Sequence, residues 1–394
     1  MTGPLEGVLV ADFSRVLAGP LCTVSLADLG ATVVKVERPV HGDDTRAWGP
    51  PWSPHASTYF ESVNRSKLSV ALDLLEPADR DLALTLASRA DVLVENHRPG
   101  SLERHGLGYE QVRALNPGII YCSITGFGSA GGADLLGYDF VVQAMGGLMS
   151  ITGDPDGQPT KAGVALVDVL TGKDATIGVL AALASRARTG HGCRVEVNLL
   201  TSLLGSLVNQ AQGYLETGTA PGRMGNRHPS IAPYETLRCR DGLLAVACGN
   251  DGQFVRLAGV IGAPQLSEDN RFVTNTARVA HRDELAAALE SCLATDDASA
   301  WQTRLTAAQV PAGKVGTVAD GFALAERLGL APTVEVGPGH TRQVRHPVTF
   351  DPDLVSSPTP PPALGADTNA VRAWLLDQSG EAQFTNHSTK EVHP

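Results

Sequence analysis

The strongest constraint on the fold is a regular alternation of short apolar runs with helical segments in the first third of the chain. Helical patterns fall between the runs, such as one that starts at Pro20 and ends near Gly30 and another over residues 80–89. The apolar runs are continuous, which is typical of parallel strands buried on both faces. We therefore predict an α/β fold with a helix-covered parallel sheet, whose strands occupy residues 8–11, 32–36, 68–72, 91–94 and 119–123.

The pattern changes after about residue 195, where the strand–helix alternation stops. With 394 residues the chain is too long for one ordinary hydrophobic core, so we expect two domains. The polar tail from Gln378 is expected to be mobile. The later elements predicted are a long helix over 198–215, a Gly/Pro/Arg-rich link over 218–227, a strand over 243–248, helices over 254–260 and 282–294, and a last helix over 369–376.

Composition and charge exclude several classes of protein. The formal net charge is -11 and no basic cluster is visible, which argues against binding to nucleic acid. No apolar run approaches the roughly 20 residues that span a bilayer, so we expect no membrane partner. The N-terminus, with Pro4 and Glu6, lacks the pattern of a secretory signal. Six scattered cysteines with no C-x-x-C pair favour the reducing cytoplasm, and no H-E-x-x-H motif supports a metal site.

One glycine-rich segment matches the dinucleotide-binding fingerprint, G-F-G-S-A-G over residues 126–131, and it follows a predicted strand. That fingerprint also requires a helix to open there, so that its N-terminus faces the pyrophosphate. Gly132 and Gly137 follow instead, which favours an ordinary glycine-rich loop. A nicotinamide-dependent oxidoreductase remains an alternative on this motif alone. No G-x-S-x-G elbow exists, so the commonest α/β-hydrolase signal is absent.

The most informative residue is Asp168, which ends a short apolar run just before a helical stretch that reaches about residue 187. An acid in this position is commonly an N-cap that accepts hydrogen bonds from the first helical amides. The same position also suits a nucleophile, because a helix N-terminus favours the ionised carboxylate. Nearby amides would then be able to hold the oxyanion of a tetrahedral intermediate. Both interpretations of Asp168 stay open on the pattern alone.

The order of several short motifs resembles family III CoA-transferases, also called the CaiB/BaiF family. The segment around Asp168, G-V-A-L-V-D-V-L-T-G, is similar to the nucleophile motif of that family. The resemblance covers nearly the whole chain and stops around Leu376. Its other motifs are RVLAGP (15–20), VKVER (34–38), NRSKLSV (64–70), DVLVENHRPG (91–100), the stretch 116–128, HP (228–229) with APY (232–234), GNDGQ (249–253) and VPAG (310–313).

The resemblance implies a fold and a reaction. The fold is a large Rossmann-like domain built from both chain ends, with a smaller α+β domain between, in an interlocked homodimer. The implied domains are 1–197 (first part of the CoA-binding domain), 198–227 (helical linker), 228–318 (small domain) and 319–394 (return linker and C-terminal part). In the implied reaction Asp168 carries coenzyme A from an acyl-CoA donor to a small carboxylic acid acceptor, through an aspartyl anhydride and an aspartyl-CoA thioester. No metal is implied.

The resemblance also assigns residues to the coenzyme. Leu17 stands where many transferases have Gln, and Leu75 and Leu136 stand where some relatives have lysines that contact the coenzyme. Arginines are well suited to a polyanionic ligand, because charge-assisted contacts are strong. The implied contacts are Val16, Leu17 and Ala18 near the thioester, Arg38 and Arg104 at the phosphates and adenosine end, and Leu72, Asn96 and His97 as walls for the adenine and pantetheine, together with Tyr138 and Asp139.

Tyr138 separates two activities within the family. Acyl-CoA racemases of the family that the chain resembles carry His at this position, paired with an Asp at the position of Asp168, whereas Tyr is similar to the transferases. A racemase needs two groups with pKa values near neutrality, and a tyrosine, with a pKa of about 10, fits that poorly. The transferase is therefore favoured, and we expect the loop over 249–253 to close over the intermediate. An acyl-CoA racemase and a non-catalytic CoA-binding homologue, in which Asp168 is a helix cap, remain the alternatives.

Overall fold

A computed structural model describes residues 3–355 and 357–377. Its largest sheet has six parallel strands in the order β3-β2-β1-β4-β5-β6, which is the order of doubly wound Rossmann folds. The five predicted strands are confirmed to within two residues at each end. The six strands of the sheet, of which β6 was not predicted, are β1 (Leu9–Asp12), β2 (Thr32–Glu37), β3 (Lys67–Ala71), β4 (Val92–Glu95), β5 (Ile120–Thr125) and β6 (Cys193–Asn198).

Helices flank this sheet and are the commonest regular element in the rest of the described chain. The predicted helix over 80–89 belongs to a longer one, and the helix expected after Pro20 begins slightly earlier. In chain order the helices are α1 (Ala18–Asp28), α2 (Thr58–Glu61), α3 (Pro77–Arg89), α4 (Tyr109–Leu115), α5 (Asp139–Met145), α6 (Leu148–Ile151), α7 (Leu166–Thr189), α8 (Leu199–Ser206), α9 (Val208–Thr217), α10 (Asp251–Val260), α11 (Asn275–Ala280), α12 (Arg282–Leu293), α13 (Ala298–Ala307), α14 (Val318–Arg327) and α15 (Thr368–Leu376).

The order in which successive strands join the sheet reverses between β1 and β4. Strands β2 and β3 lie on one side of β1, and β4 to β6 lie on the other. Val10 lies beside Val33 of β2 on one side and beside Val92 of β4 on the other, with all three strands parallel. Segments that leave β1 and β4 therefore diverge to opposite halves of the sheet and open a crevice at the carboxyl ends of these strands. Ligands of open α/β sheets bind at such a switch point.

The described residues divide into two compact units. The first contains residues 3–146, 162–216 and 331–377, apart from 356, and the second contains 147–161 and 217–330. The prediction placed its boundaries after residues 197, 227 and 318 instead. In the first unit, Val371 and Leu375 of α15 pack with Leu82 and Leu86 of α3, so the C-terminal part of the chain completes the core beside β3.

The second unit contains a three-stranded antiparallel sheet, β7 (Tyr234–Arg238), β8 (Leu243–Ala247) and β9 (Ala312–Lys314). Its core packs helices against this sheet around Phe254, Leu289 and Trp301. The fully buried Arg278 donates hydrogen bonds to the backbone oxygens of Ala232 and Phe272. The remaining strands, β10 (Thr333–Val334) and β11 (Gln343–Val344), form a short antiparallel pair in the first unit.

Two sequence predictions concern the helix over 198–215 and the tail from Gln378. The single long helix predicted over 198–215 is wrong, because α8 ends at Ser206 and α9 starts at Val208, whose φ is 45°. Left-handed backbone at a β-branched residue breaks a helix that the apolar periodicity alone would continue. The tail predicted from Gln378 lies outside the described residues.

Candidate functional site

A cavity of about 570 Å³ opens at the switch point of the large sheet, within the first unit. Its walls come from the segments that follow the carboxyl ends of β1, β4, β5 and β6, as this topology requires. It brings together, from four separate segments, seven residues that the resemblance assigned to the site. These are Val16, Leu17, Ala18, Asn96, His97, Tyr138 and Asp168.

Asp168 lies in the first turn of α7, whose N-cap is Ala165. The interpretation of Asp168 as a helix cap is therefore wrong. The side chain is partly buried, and no described donor contacts its carboxylate oxygens. Burial and the neighbouring charge of Asp139 raise the pKa of Asp168 to about 7. These two effects outweigh the helix N-terminus, which we expected to favour the ionised form.

Asp139 has a different position from the one that the resemblance implies. Its side chain is buried and does not line the cavity. Its Oδ1 accepts hydrogen bonds from the amides of Val167 (2.7 Å) and Asp168 (3.3 Å), and its Oδ2 accepts one from Gln143 Nε2 (2.7 Å). The helix amides expected to hold an oxyanion are therefore already bound to the Asp139 carboxylate.

Amides at the start of α1 provide an alternative set of donors. Leu17 is the N-cap of α1 and makes no side-chain cap hydrogen bond. Among the described residues no acceptor is bound to the amides of Ala18 and Gly19, and Ala18 lines the cavity with Asp168. The first amides of a helix are positive in partial charge and suit an anionic oxygen.

The loop before α1 is held in a strained conformation by side chains from neighbouring strands. Val16 has a φ of 70°, which is costly for a β-branched residue, and its amide donates to the Asp43 carboxylate (3.2 Å). Asn96 holds the backbone of Arg15 at both polar groups, with distances of 2.9 Å to its nitrogen and 2.7 Å to its oxygen. The loop is thus fixed before any ligand arrives.

His97 also supports this loop. Its Nε2 donates to the backbone oxygen of Phe13 at 2.9 Å, and its own amide donates to Glu95 Oε2 at 2.8 Å. Burial, with the nearby charge of Arg15, lowers the pKa of His97 to about 4. The ring is neutral at physiological pH, so it does not serve as a general acid there.

A buried network of charged groups lies beneath the loop, and the sequence analysis missed it. Lys35 Nζ pairs with Asp43 (3.0 Å) and donates to the backbone oxygen of Ser14 (2.7 Å). Lys67 Nζ pairs with Asp12 (3.1 Å) and donates to the backbone oxygen of Pro20 (3.1 Å). Both lysines therefore hold the segment that carries the cavity-lining residues.

One sequence signal could have revealed this network. Lys35 stands inside the mostly apolar strand β2 and Lys67 begins β3, and a lysine is almost never buried without a partner. Burial and the charge of Lys35 lower the pKa of Lys67 to about 8, although Asp12 opposes that change. A lysine in a buried parallel strand could thus have indicated a buried ion pair, which the sequence analysis did not predict.

The arginines assigned to the coenzyme lie outside the cavity wall. Arg38 is exposed, pairs with Asp44 and donates to the backbone oxygen of Gly42 at 3.1 Å. Arg104 is exposed in a short 3-10 helix and makes no ion pair with a described residue. Two other arginines, Arg15 and Arg98, line the cavity itself.

Leu72 differs from its implied role as a wall for the adenine or pantetheine. Its side chain is 2% exposed and packs in the hydrophobic core with Val70 and Leu102. A ligand could therefore contact its backbone but not its side chain in this conformation.

Tyr59 is a further residue near Asp168 that the sequence analysis missed. Burial, followed by the charges of Asp168 and Asp139, raises the pKa of Tyr59 to about 12. Its ring packs edge-on against Trp48, with centroids 5.5 Å apart. Neither Tyr59 nor Trp48 is among the residues that line the cavity.

The glycine-rich loop over 126–131 opens no helix, since the next helix is α5. A Cβ added to Gly126 would lie 2.6 Å from the Cα of Gly137, so two backbone segments touch at this point. Close packing of loop against loop explains the glycines without a pyrophosphate.

In the described part of the chain, no group of three or more His, Cys, Asp or Glu side chains is arranged to hold a metal ion. None of the described helices combines the length and apolar character needed to cross a membrane.

Comparison with known proteins gives consistent results along the chain. The sequence model for CoA-transferase family III matches residues 5–368. The succinate–glutarate CoA-transferase of Agrobacterium fabrum is 42% identical over 387 residues, which cover 94% of this chain and 96% of that protein. The acetyl-CoA:oxalate CoA-transferase of Acetobacter aceti is 44% identical over 320 residues, covering 81% of this chain and 82% of that protein.

A solved structure agrees as well. A CAIB/BAIF family protein from Brucella suis superimposes with a TM-score of 0.86 and 43% sequence identity. The match covers 95% of this chain and all of that one.

Proposed function

The chain belongs to CoA-transferase family III and transfers coenzyme A between an acyl-CoA and a carboxylic acid, and from this premise we propose that Asp168 carries the transfer through covalent intermediates. Membership confirms the resemblance seen in the motifs. The observation that carries the proposal is the Asp168 carboxylate itself, which lines the cavity at the switch point and is contacted by no described donor.

The proposed reaction has four steps that balance. A carboxylate oxygen of Asp168 attacks the thioester carbonyl carbon, the C–S bond breaks, and CoA thiolate leaves behind a mixed anhydride. The thiolate then attacks the Asp168 acyl carbon and releases the donor acid, which gives an aspartyl-CoA thioester. The acceptor carboxylate attacks that thioester, the C–S bond breaks, and CoA thiolate leaves behind a second mixed anhydride between Asp168 and the acceptor. The thiolate then attacks the acceptor acyl carbon, and the C–O bond to the Asp168 carboxylate breaks. The products are the new acyl-CoA and free Asp168, and the energy of the thioester is kept throughout.

The surroundings of Asp168 suit this chemistry. With a pKa of about 7, Asp168 is more basic than an ordinary aspartate, so its ionised form is a better nucleophile. The amides of Ala18 and Gly19 are available for the oxyanion of each tetrahedral intermediate. Such donors are worth about 3–4 kcal/mol each in acyl-transfer enzymes.

Coenzyme A is a polyanion, and cations surround the cavity. Arg15 and Arg98 line it, and we propose that they contact the phosphates together with the exposed Arg38 and Arg104. Arg15 and Arg38 both pair with Asp44 in the structure, so this carboxylate keeps two guanidinium groups near each other. Apolar Leu136 and Leu17 line the same cavity, where the acyl chain or pantetheine would lie.

The acids exchanged are proposed to be small carboxylic acids. The related proteins named above act on succinate and glutarate in one case and on oxalate in the other. Succinyl-CoA and acetyl-CoA are therefore the first donors to test, with glutarate and oxalate as acceptors. We also propose that the protein acts in the cytoplasm as an interlocked homodimer of two such chains.

Intact-mass spectrometry of the protein with a panel of acyl-CoAs tests the proposal. We expect a covalent acyl or CoA adduct that maps to Asp168 and is cleaved by hydroxylamine. Asp168→Ala removes the adduct, while Asp174→Asn, at an exposed position on the same helix, keeps it. Near wild-type transfer by Asp168→Ala would exclude the mechanism. α-Proton exchange with deuterated solvent, in the absence of an acceptor acid, would indicate a racemase instead.

A further inference from the structure

We propose that Asp139 is a positioning residue for Asp168, which its buried carboxylate holds through hydrogen bonds to the amides in the first turn of α7. The inference rests on the proposed role of Asp168 as the nucleophile. It assigns Asp139 a part in the reaction without contact with the substrate, since the residue is 8% exposed and does not line the cavity.

The first argument is geometric. Oδ1 of Asp139 accepts the amides of Val167 at 2.7 Å and Asp168 at 3.3 Å. These are amides that the helix itself cannot satisfy, because its first turn has no partners one turn earlier. The carboxylate of Asp139 therefore performs the N-capping that the N-cap residue, Ala165, has no side chain to provide.

Gln143 extends the same contact to the segment that enters α7. Its Nε2 donates to Asp139 Oδ2 at 2.7 Å, and its Oε1 accepts the amide of Ala162 at 2.8 Å. Gln143 is fully buried and lies one turn after Asp139 on α5. The pair thus fixes both the entry to α7 and its first turn, which together set the position of the Asp168 backbone.

The second argument is electrostatic. The positive end of the α7 dipole is taken up by Asp139, so it does not stabilise the charge on Asp168. Burial and the like charge of Asp139 together raise the pKa of Asp168 to about 7. A carboxylate oxygen of higher basicity is a stronger nucleophile toward a thioester. Beside Asp139, a smaller fraction of the Asp168 carboxylate is ionised at neutral pH, but the ionised form is more reactive.

The other titratable groups around α7 have to be considered before a pH dependence is assigned to Asp139. Helix α8 has none, and Tyr59 responds to the charges of Asp168 and Asp139. Burial raises the pKa of Cys22 to about 12 and that of Cys122 well above its ordinary value, so both thiols stay neutral. The remaining groups, on α1, β5, β6 and α7 itself, are Asp28, Tyr121, Cys193, Arg194, Glu196, Lys173, Asp174, Arg186 and Arg188.

Asp139→Asn is the informative variant, because an amide oxygen still accepts the two helix amides but carries no charge. The new Asn amide nitrogen would face Gln143 Nε2, so two N–H donors would oppose each other with no acceptor between them. A second variant, Asp139→Asn with Gln143→Glu, restores a donor–acceptor pair there and keeps an acceptor for the Ala162 amide. It moves the charge to the next turn of α5. Asp174→Asn, exposed on α7, is the matched control for the loss of one carboxylate.

The measurement is the single-turnover rate of adduct formation with an acyl-CoA, followed by intact mass over about pH 5 to 9 in the full-length protein. In the wild type the rate rises with pH through a half-maximum near 7, the pKa of Asp168. In Asp139→Asn we expect the half-maximum to fall by about one pH unit, because a like charge is lost beside the nucleophile. The plateau rate at high pH should fall roughly threefold or more, because the nucleophile is less basic.

The double variant separates charge from structure. We expect it to regain the thermal stability that Asp139→Asn loses, while its half-maximum stays below that of the wild type. A half-maximum unchanged in both variants, with only a lower rate at every pH, would show a purely structural role and overturn the inference. If the wild type forms no adduct on Asp168, the proposed function fails first, and that result is distinct from a failure at Asp139.

Discussion

At the scale of single residues, the chemistry depends on how strongly the fold opposes ionisation of Asp168. An ordinary aspartate has a pKa near 3.9, and burial with the charge of Asp139 raises that of Asp168 to about 7. The folded protein therefore binds this proton more tightly than the unfolded chain. The stabilising contribution of Asp168 to the free energy of unfolding is fully present below about pH 4. It is lost as the pH rises through about 7.

Asp168→Asn removes this pH dependence. Because the ionised carboxylate is costly in the folded state, we expect the variant to melt at least about 2 °C above the wild type at pH 8. The difference should vanish at about pH 3, below both pKa values, where Asp168 is mostly protonated in the folded and the unfolded state. Differential scanning calorimetry at the two pH values, with Asp174→Asn as control, measures it. A variant that is less stable than the wild type at pH 8 would contradict the raised pKa.

The sequence located Asp168 but not the cause of its raised pKa. An apolar run, an acid and a helix are visible in one line of sequence, whereas Asp139 lies 29 positions away and its contact depends on how α5 packs beside α7. The spacing of Asp139 and Asp168 along the chain carries no signal of that contact. The same limit hid Tyr59, whose proximity to Asp168 arises from packing of a distant segment.

At the scale of elements, the site depends on the close approach of α1 to α7. Gly172 lies one turn after Asp168 on α7, and a Cβ added there would lie 2.7 Å from the backbone oxygen of Ala18 and 3.1 Å from Leu21 Cβ. A backbone oxygen cannot move aside as a flexible side chain can. The glycine therefore sets the distance between Asp168, the proposed nucleophile, and the start of α1.

Gly172→Ala should push the two helices apart. We expect the rate of adduct formation to fall roughly tenfold or more, because small displacements of reacting groups have large effects on rate. Substrate binding remote from Asp168 should change less. Gly259→Ala on α10, where an added Cβ meets nothing within 4 Å, is the matched control and should leave the rate unchanged. Wild-type rates for Gly172→Ala would show that α1 contributes nothing to catalysis.

The buried lysines stabilise the same region from below. Lys67→Met leaves the fully buried Asp12 without its paired cation and the backbone oxygen of Pro20 without a donor. Breaking a buried ion pair by removing one partner costs about 3–5 kcal/mol. We expect a loss of that size in urea unfolding, with weaker transfer because the loop before α1 is released. Lys173→Met, an exposed change on α7, should cost less than about 0.5 kcal/mol.

The predictability of each element follows from its burial. Strands β1 to β5 are continuous apolar runs and were predicted, but β6 was missed because Cys193–Asn198 alternates polar and apolar residues at the edge of the sheet. The helix break at Val208 depends on a left-handed backbone conformation, which the residues around Val208 do not predict. Local sequence patterns therefore predicted the buried strands. They failed for the elements whose form depends on tertiary packing.

At the scale of the whole molecule, the first unit is assembled from three segments of the chain, including α15. No periodicity predicts that residues 368–376 pack beside α3, because that contact joins positions almost 300 residues apart. The resemblance to a family implied such an arrangement, whereas composition did not. Family motifs therefore carried the long-range information, and local patterns carried the secondary structure.

Exposed apolar side chains on the single chain favour assembly. Helix α14 and the turn after it expose Val318, Leu324, Leu328 and Leu330 to solvent. Large apolar side chains clustered on one short helical segment are typical of a protein–protein interface. Size-exclusion chromatography with light scattering should therefore give twice the chain mass of 41.2 kDa. A mass equal to one chain at micromolar concentration would contradict the proposed homodimer.

Interlocking makes a stronger prediction than dimerisation. If the two chains pass through one another like links, they separate only when one of them unfolds, so subunits cannot exchange between native dimers. We expect tagged and untagged dimers, mixed and left under native conditions, to form no mixed dimers detectable by native mass spectrometry. Unfolding the mixture in denaturant and refolding it should produce mixed dimers in statistical proportion. Co-expression of the tagged and untagged chains is the control that tests whether mixed dimers are stable. Exchange without denaturant would leave an ordinary dimer and exclude the interlocked one.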